Sequence, residues 1–220
     1  MLQKNTYKFL QTLQKNNNRE WFTENKAWYK QSRTDFEKLV SQLIPAMAEF
    51  DSNIQYLQPK KCIFRIYRDI RFSQDKTPYK THFGAVFSPV LNKKNAGYYI
   101  HIDPTGNFLT CGHYMLMPEE LKKIRKGIYE DFDTFQSIIN QENFKKEFGN
   151  LCMEENMLKR VPNGFDKNHP AAEYLKLKNF YVMKSFSDKK LFTENFIDYA
   201  VSIFKEMQPL NDFLNNLLEE

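Results

Sequence analysis

The spacing of apolar residues changes period twice along the chain, and that alternation limits the fold more than any other property of the sequence. Before Pro45 the spacing is helical. Tyr7, Leu10 and Leu13 share one face, and beyond Asn18, a residue suited to cap a helix, Trp21, Phe22, Trp28, Tyr29, Phe36 and Val40 recur at mixed three- and four-residue intervals. From Cys62 the period drops to two, with Cys62, Phe64, Ile66, Ile70 and Phe72 on one face and Arg65, Tyr67, Asp69 and Arg71 on the other. GYYIHI at 97–102 and NFLTCGHY at 107–114 read as two more strands, joined through Asp103-Pro104-Thr105-Gly106, which suits a type I turn. Helical spacing returns at Pro118, an N1 proline with Glu119 and Glu120 in the first turn, and continues through Phe148. A strand is predicted over 180–186 and a helix over 193–218, kinked or broken at Pro209. Helices, strands and helices in that order define an α+β fold: a single domain over 1–220, its mainly antiparallel sheet covered by the N- and C-terminal helices.

Length and composition narrow the class. The 220 residues, 41% of them hydrophobic, suffice for one sizeable core. Apolar runs are only a few residues long, far below the roughly 20 needed to span a bilayer, and the N-terminal stretch lacks the apolar region of a signal peptide. Cys62, Cys111 and Cys152 are widely spaced and contain no C-x-x-C pair, which suits reduced thiols. A cytoplasmic protein with no membrane partner is expected, its oligomeric state left open.

The net charge of +5 is concentrated. Residues 60–94 hold nine Lys or Arg against two acids, which leaves the rest of the chain near neutral. A local surplus of this kind is the footprint of an anion-binding patch. On the predicted strand, Arg65 and Arg71 flank Asp69, a pattern that stiffens guanidinium forks and aims them at phosphate or carboxylate. Arg68 falls on the apolar face, either at a bulge or as the buried member of an ion pair. Beyond it, Thr77-Pro78 resembles a helix start whose free N–H groups, with Lys76 and Lys80 beside them, make an anion cradle. Tyr79 and His82 would share a face of that turn and are the candidates for proton transfer. The ligand-binding set is therefore Arg65, Arg68, Asp69, Arg71, Lys76 and Lys80, and the catalytic pair is Tyr79 and His82.

The motif R-x-x-R-D-x-R-F-S-x-D-K-x-P-Y-K-x-H, from Arg65 to His82, resembles the defining motif of a conserved family of bacterial proteins catalogued as a domain of unknown function. The resemblance extends to F-L-x-x-L at Phe9–Leu13, to N-N-x-R-E-W-F at Asn16–Phe22, and to the G-Y-Y-x-H-I strand. It implies a single domain and marks Arg65, Arg68, Asp69, Arg71, Lys76, Tyr79, Lys80 and His82, without giving them roles.

Other chemistries find little support. Seven glycines form neither G-x-G-x-x-G nor G-x-x-x-x-G-K, so no nucleotide cofactor is expected. His101, Cys111 and His113 resemble a zinc set, but the hairpin places His101 opposite residue 108, some five residues from His113, so no metal is assigned. His169, before Pro170, is given surface or capping duty. Two other readings stand beside the small anion: a nucleic-acid module whose basic strand tracks phosphates while Tyr67, Tyr98 or Tyr99 stack on bases, and an interaction protein whose arginines form internal salt bridges.

Overall fold

The computed structural model describes residues 1–88, 96–154 and 156–219. Lys93 and Lys94 of the basic run lie outside them. The fold is α+β, with a four-stranded antiparallel sheet. Strands β1 (Phe83–Phe87), β2 (Gly97–Ile102), β3 (Asn107–His113) and β4 (Phe180–Phe186) are hydrogen-bonded in that order. The chain packs as two compact units, each stitched from three separate segments.

The first unit comprises Met1–Phe87, Tyr99–Leu109 and Ser185–Ser202. It contains helices α1 (Lys4–Lys15), α2 (Arg19–Glu24) and α3 (Lys26–Ala48), together with a short α4 (Pro59–Cys62). The helical spacing after Asn18 yields two helices rather than one. Asn18 caps the first by accepting from the Trp21 N–H at 2.9 Å, and Asn25 closes that helix and opens the next. No side chain of its own caps the start of α1. Asp35 of α3 does so instead, accepting from the Gln3 N–H at 2.9 Å and the Thr6 hydroxyl at 2.6 Å. Phe9 is fully buried beneath the half-buried Trp21, Trp28 and Tyr29, and Phe83 stacks between Phe9 and Phe36.

The predicted strand over 62–72 does not form. Its place is taken by an irregular extended segment that touches its neighbours through isolated antiparallel bridges, Ile63 to Ala85 and Tyr67 to Tyr79. The turn of α4 ends at Cys62, so Cys62 and Ile63 both point inward, and Ile66 is the next buried residue. Strict alternation is lost. Phe64 is left 47% and Phe72 96% exposed, which reverses the face assigned to them from the sequence. The helix expected at Thr77-Pro78 is also absent: the Thr77 N–H donates to Asp75 Oδ1 at 2.9 Å, and the chain continues extended into the Tyr79 bridge.

The second unit comprises Ser88–Tyr98, Thr110–Lys184 and Ile203–Glu220. Its helices are α5 (Pro118–Glu130), α6 (Phe132–Ile139), α7 (Glu142–Phe148) and the short α8 (Ala172–Leu175), and the last turns of a long C-terminal helix belong to it. Pro118 starts α5 as read from the sequence, and the Glu120 carboxylate accepts from the Met117 N–H at 2.9 Å. The short α9 (Asp188–Leu191) precedes α10 (Phe196–Glu219), which runs on through Pro209 as one helix, so of the expected kink or break the break does not occur. Buried Met207, Leu210 and Leu214 on either side of the proline supply packing that offsets one lost backbone bond.

Candidate functional site

The hairpin assigned from the sequence does form. The Gly106 N–H donates to the Asp103 carbonyl at 3.0 Å, and His101 stacks on Phe108 at 4.4 Å, the partner its register requires. Side chains alternate along a strand, so Tyr99, His101 and Asp103 emerge on one side. Thr81 and His82 lie just ahead of β1 and come against them. The His82 and His101 rings are 4.2 Å apart, and Asp103 Oδ2 lies 3.8 Å from His82 Nδ1 and 3.7 Å from His101 Nε2.

Asp103, His101 and Tyr99 are held from behind. Asp103 is 7% exposed, and its Oδ1 accepts from the Thr105 N–H at 2.8 Å and the Thr105 hydroxyl at 2.7 Å. The Asp103 N–H donates to Asn107 Oδ1, Asn107 donates to Asp188 Oδ1 at 2.8 Å, and the Tyr7 hydroxyl donates to the same oxygen at 2.5 Å. Tyr99 Oη meets His101 Nδ1 at 2.9 Å. A Cβ on Gly84 would lie 2.2 Å from Tyr99 Oη, so glycine at that position is what admits the hydroxyl.

The electrostatics follow from burial and charge. Burial pushes the His82 imidazole down to about 4, helped by His101 and Lys80 and opposed by Asp103. Burial would raise the Asp103 carboxyl, but the facing His101 ring and the bonds from Thr105 outweigh it and bring it down to about 2. Burial, and next Asp103, raise the Tyr99 phenol.

The ligand-binding residues assigned from the sequence fall into two groups. Arg68, Asp69, Arg71 and Lys76 are engaged with one another and with the chain around them. Arg68 Nη1 pairs with Asp75 Oδ2 at 2.5 Å and donates to the Thr77 carbonyl and hydroxyl. Arg71 forks onto Asp69 at 3.0 and 2.7 Å, and Lys76 donates to the Ile70 carbonyl at 3.0 Å. The Arg68 pair is half-exposed rather than buried, because the segment bends and carries the guanidinium to Asp75. Arg71→Ala should therefore leave the melting temperature unchanged, since an exposed pair contributes little, whereas Arg68→Ala, which unties the 68–77 loop, should lower it. Thermal melts of the two variants check this order.

Arg65 and Lys80 form the other group. Neither makes an ion pair among the described residues, although Arg65 adds to the lowering of the Asp69 carboxyl that the bonds from Arg71 chiefly cause. The Lys80 ammonium lies 5.1 Å from the centre of the Phe64 ring, which in turn is 6.0 Å from Tyr99. Burial, and next Arg65, lower the Lys80 amine.

Tyr79 and His82 face different neighbours. Tyr79 is buried and stacks on Phe22 at 3.9 Å, while His82 turns to His101 and Asp103. The partners of His82 are not evident in the sequence, where Asp103 reads as a turn residue and His101 invites comparison only with Cys111 and His113. The readable signal was Tyr99-x-His101-x-Asp103, three polar side chains alternating onto one face of a strand.

A groove of about 750 Å³, lined in part by Asn18, Arg19, Glu20, Asp75, Lys76 and Thr77, includes none of Arg65, Lys80 or His82. Its two bases face two acids, which suits a strongly anionic ligand poorly.

In the second unit His113 is 3% exposed, and burial brings its imidazole from 6.5 to about 4. The unfolded chain therefore takes up a proton near pH 6.5 that the native state refuses until about pH 4. The stability this neutral ring contributes is fully present above pH 6.5 and is lost as pH falls, by roughly 3 kcal/mol. Thermal melts from pH 7.5 to 4.5 should show a steeper decline for the wild type than for His113→Gln, and parallel curves would refute it. His169 stacks against Tyr129 at 4.1 Å, and its Nδ1 accepts from the Ala171 N–H at 3.1 Å, a capping role.

These features define an α+β protein with a histidine–carboxylate cluster and two cations, Arg65 and Lys80, that make no ion pair among the described residues. Over residues 5–213 the chain belongs to the family described as "Conserved hypothetical protein (DUF2461)". No curated protein and no solved structure gives a significant match. No helix among the described residues is long and apolar enough to cross a membrane.

Proposed function

We propose that the protein binds a small anionic ligand, a phosphate ester or carboxylate, through Arg65 and Lys80. The observation that carries this reading is the placement of Lys80. It is partly withdrawn from water, lies over the Phe64 ring at 5.1 Å, is near enough to Arg65 for that charge to lower its amine after burial, and has no carboxylate partner among the described residues. Adjacent unpaired cations repel unless an anion joins them. Arg68, Asp69, Arg71 and Lys76 then serve the ligand indirectly, by stiffening the loop that follows Arg65. We take the cytoplasm as its place of action, consistent with three free cysteines, and the chain as one domain, because neither unit is a contiguous piece of it.

The test is a thermal-shift and calorimetric survey of inorganic phosphate, sugar phosphates, nucleotides and dicarboxylates. A ligand that binds the native state raises its melting temperature by mass action. The rise should disappear in the Arg65→Ala, Lys80→Ala double variant. A survey with no shift, or a shift unchanged in that variant, removes the reading.

Single-stranded nucleic acid is the second reading, favoured by the exposed Phe72 beside Arg71 and by the exposed Tyr67. Tyr98 is fully buried and cannot stack on a base. Because most of the arginines are already paired, few phosphates can be neutralised, and oligonucleotide binding should be weak with a shallow salt dependence. Fluorescence anisotropy across a salt series measures it.

A further inference from the structure

We infer that His82, His101 and Asp103 form a site for a divalent first-row transition-metal ion, gripped by two imidazoles and one carboxylate with its remaining positions open. One ligand atom from each residue falls within 4.8 Å of the others. Around a tetrahedral ion with bonds of about 2.0–2.1 Å, donor atoms stand roughly 3.3 Å apart. The observed 3.7 and 3.8 Å to Asp103 Oδ2 therefore need only small side-chain rotations to close on an ion.

Three further observations point to a cation. Asp103 Oδ2 belongs to a nearly buried carboxylate, yet its nearest polar neighbours stand at 3.5 Å (Thr81 Oγ1), 3.7 Å and 3.8 Å. Those are long contacts for a buried negative charge. The two bonds from Thr105 occupy Oδ1 and leave Oδ2 as the donor. The Tyr99 oxygen lies 2.9 Å from His101 Nδ1 and can accept its N–H, the arrangement that leaves Nε2 with the lone pair to coordinate and gives the ring the outer acceptor that metal-bound histidines ordinarily have. Gly84 completes the arrangement by leaving room for that hydroxyl.

The donor set selects the class of ion. Imidazole nitrogen favours zinc, iron, cobalt or nickel over calcium and magnesium, and a two-histidine, one-carboxylate face is incomplete for any of them, so exogenous ligands must fill the coordination sphere. Lys80 stands two residues before His82, at most about 7 Å along the chain, so an anion held by Lys80 would sit near the open positions. That last step rests on the anion reading above, whereas the metal site does not.

The test uses the full-length protein stripped with EDTA and exchanged into phosphate-free buffer. Titration with Co²⁺, followed by visible absorption and by Zn²⁺ competition, should show one equivalent bound. Tyr99→Phe should weaken Co²⁺ binding by about tenfold, and His101→Gln and Asp103→Asn by at least as much. His169→Ala should bind as the wild type does. Co²⁺ binding of wild-type strength in either ligand variant would overturn the site. Should those variants fail to fold, ring resonances of the wild type decide the matter: of the four histidines, two should shift on adding Zn²⁺, and four unmoved rings reject the proposal. Phosphate titrated into the EDTA-treated protein reports on the anion reading alone, so the two ideas can fail separately.

Discussion

Phe83→Ala should lower the free energy of unfolding by about 4 kcal/mol, because it removes a large ring from a site that cannot close around the gap. Phe83 is 1% exposed and stacks between Phe36, at 5.3 Å and 16°, and Phe9, at 6.3 Å and 15°. Those two rings belong to different helices, α3 and α1, so Phe83 is the element of β1 that both helices share. Deleting it loses the transfer energy of the ring and leaves a cavity between Phe36 and Phe9, the latter itself fixed by Trp21, Trp28 and Tyr29. The consequence reaches the candidate site through the backbone. His82 directly precedes Phe83, and alternation sends one side chain toward His101 while the other enters the core. Phe83→Leu, which keeps most of the volume, should cost about half as much or less. Urea melts of both variants provide the measurement. A loss below about 1 kcal/mol for Phe83→Ala would mean that the three-ring stack is not the centre of this core.

The helices were legible from the sequence because their signals are local. Asn18 caps α2, Pro118 opens α5, and the amphipathic spacing of the first forty-odd residues is set by contacts within a few turns of helix. The hairpin was legible for the same reason: Asp103 accepts from Thr105 two residues along, and the register follows from the turn. The basic segment was misread because its period-two pattern arises from composition rather than from pairing. A strand needs a continuous partner, and residues 63–68 find only single bridges to 79 and 85, so Phe64 and Phe72 are left in solvent. The candidate metal ligands required knowledge that no local pattern carries. His82 lies 19 residues before His101, and only the lateral pairing of β1 with β2 brings the two rings to 4.2 Å. Local charge density drew attention to the arginines, most of which pair with acids seven residues away or nearer. The group with the most constrained geometry carries one carboxylate, two histidines and no conspicuous run.

Gly112→Ala should cost about 3 kcal/mol or leave the protein insoluble, through a backbone conflict within the second unit. Gly112 lies in β3 with φ at +126°, a region that residues with a side chain rarely adopt. An added Cβ would also lie 2.2 Å from the Phe180 carbonyl oxygen and 2.7 Å from the Tyr181 Cα. Both obstacles are backbone atoms of the neighbouring strand, so no rotamer change relieves them. Relief would require β3 and β4 to separate, which puts at risk the bond from the Thr110 hydroxyl to the Val182 carbonyl at 2.6 Å. A glycine inside a strand is ordinarily weakening, and here close approach of a second backbone explains its presence. Gly106, six residues earlier in the hairpin turn, is the control. Nothing lies within 4 Å of a Cβ built there, so Gly106→Ala should change stability by no more than about 0.5 kcal/mol. Denaturant melts of the two variants, or the soluble fraction where Gly112→Ala cannot be purified, give the comparison. Equal losses at the two positions would show that β3 and β4 do not approach closely at Gly112, and the pairing of the last strand would have to be redrawn.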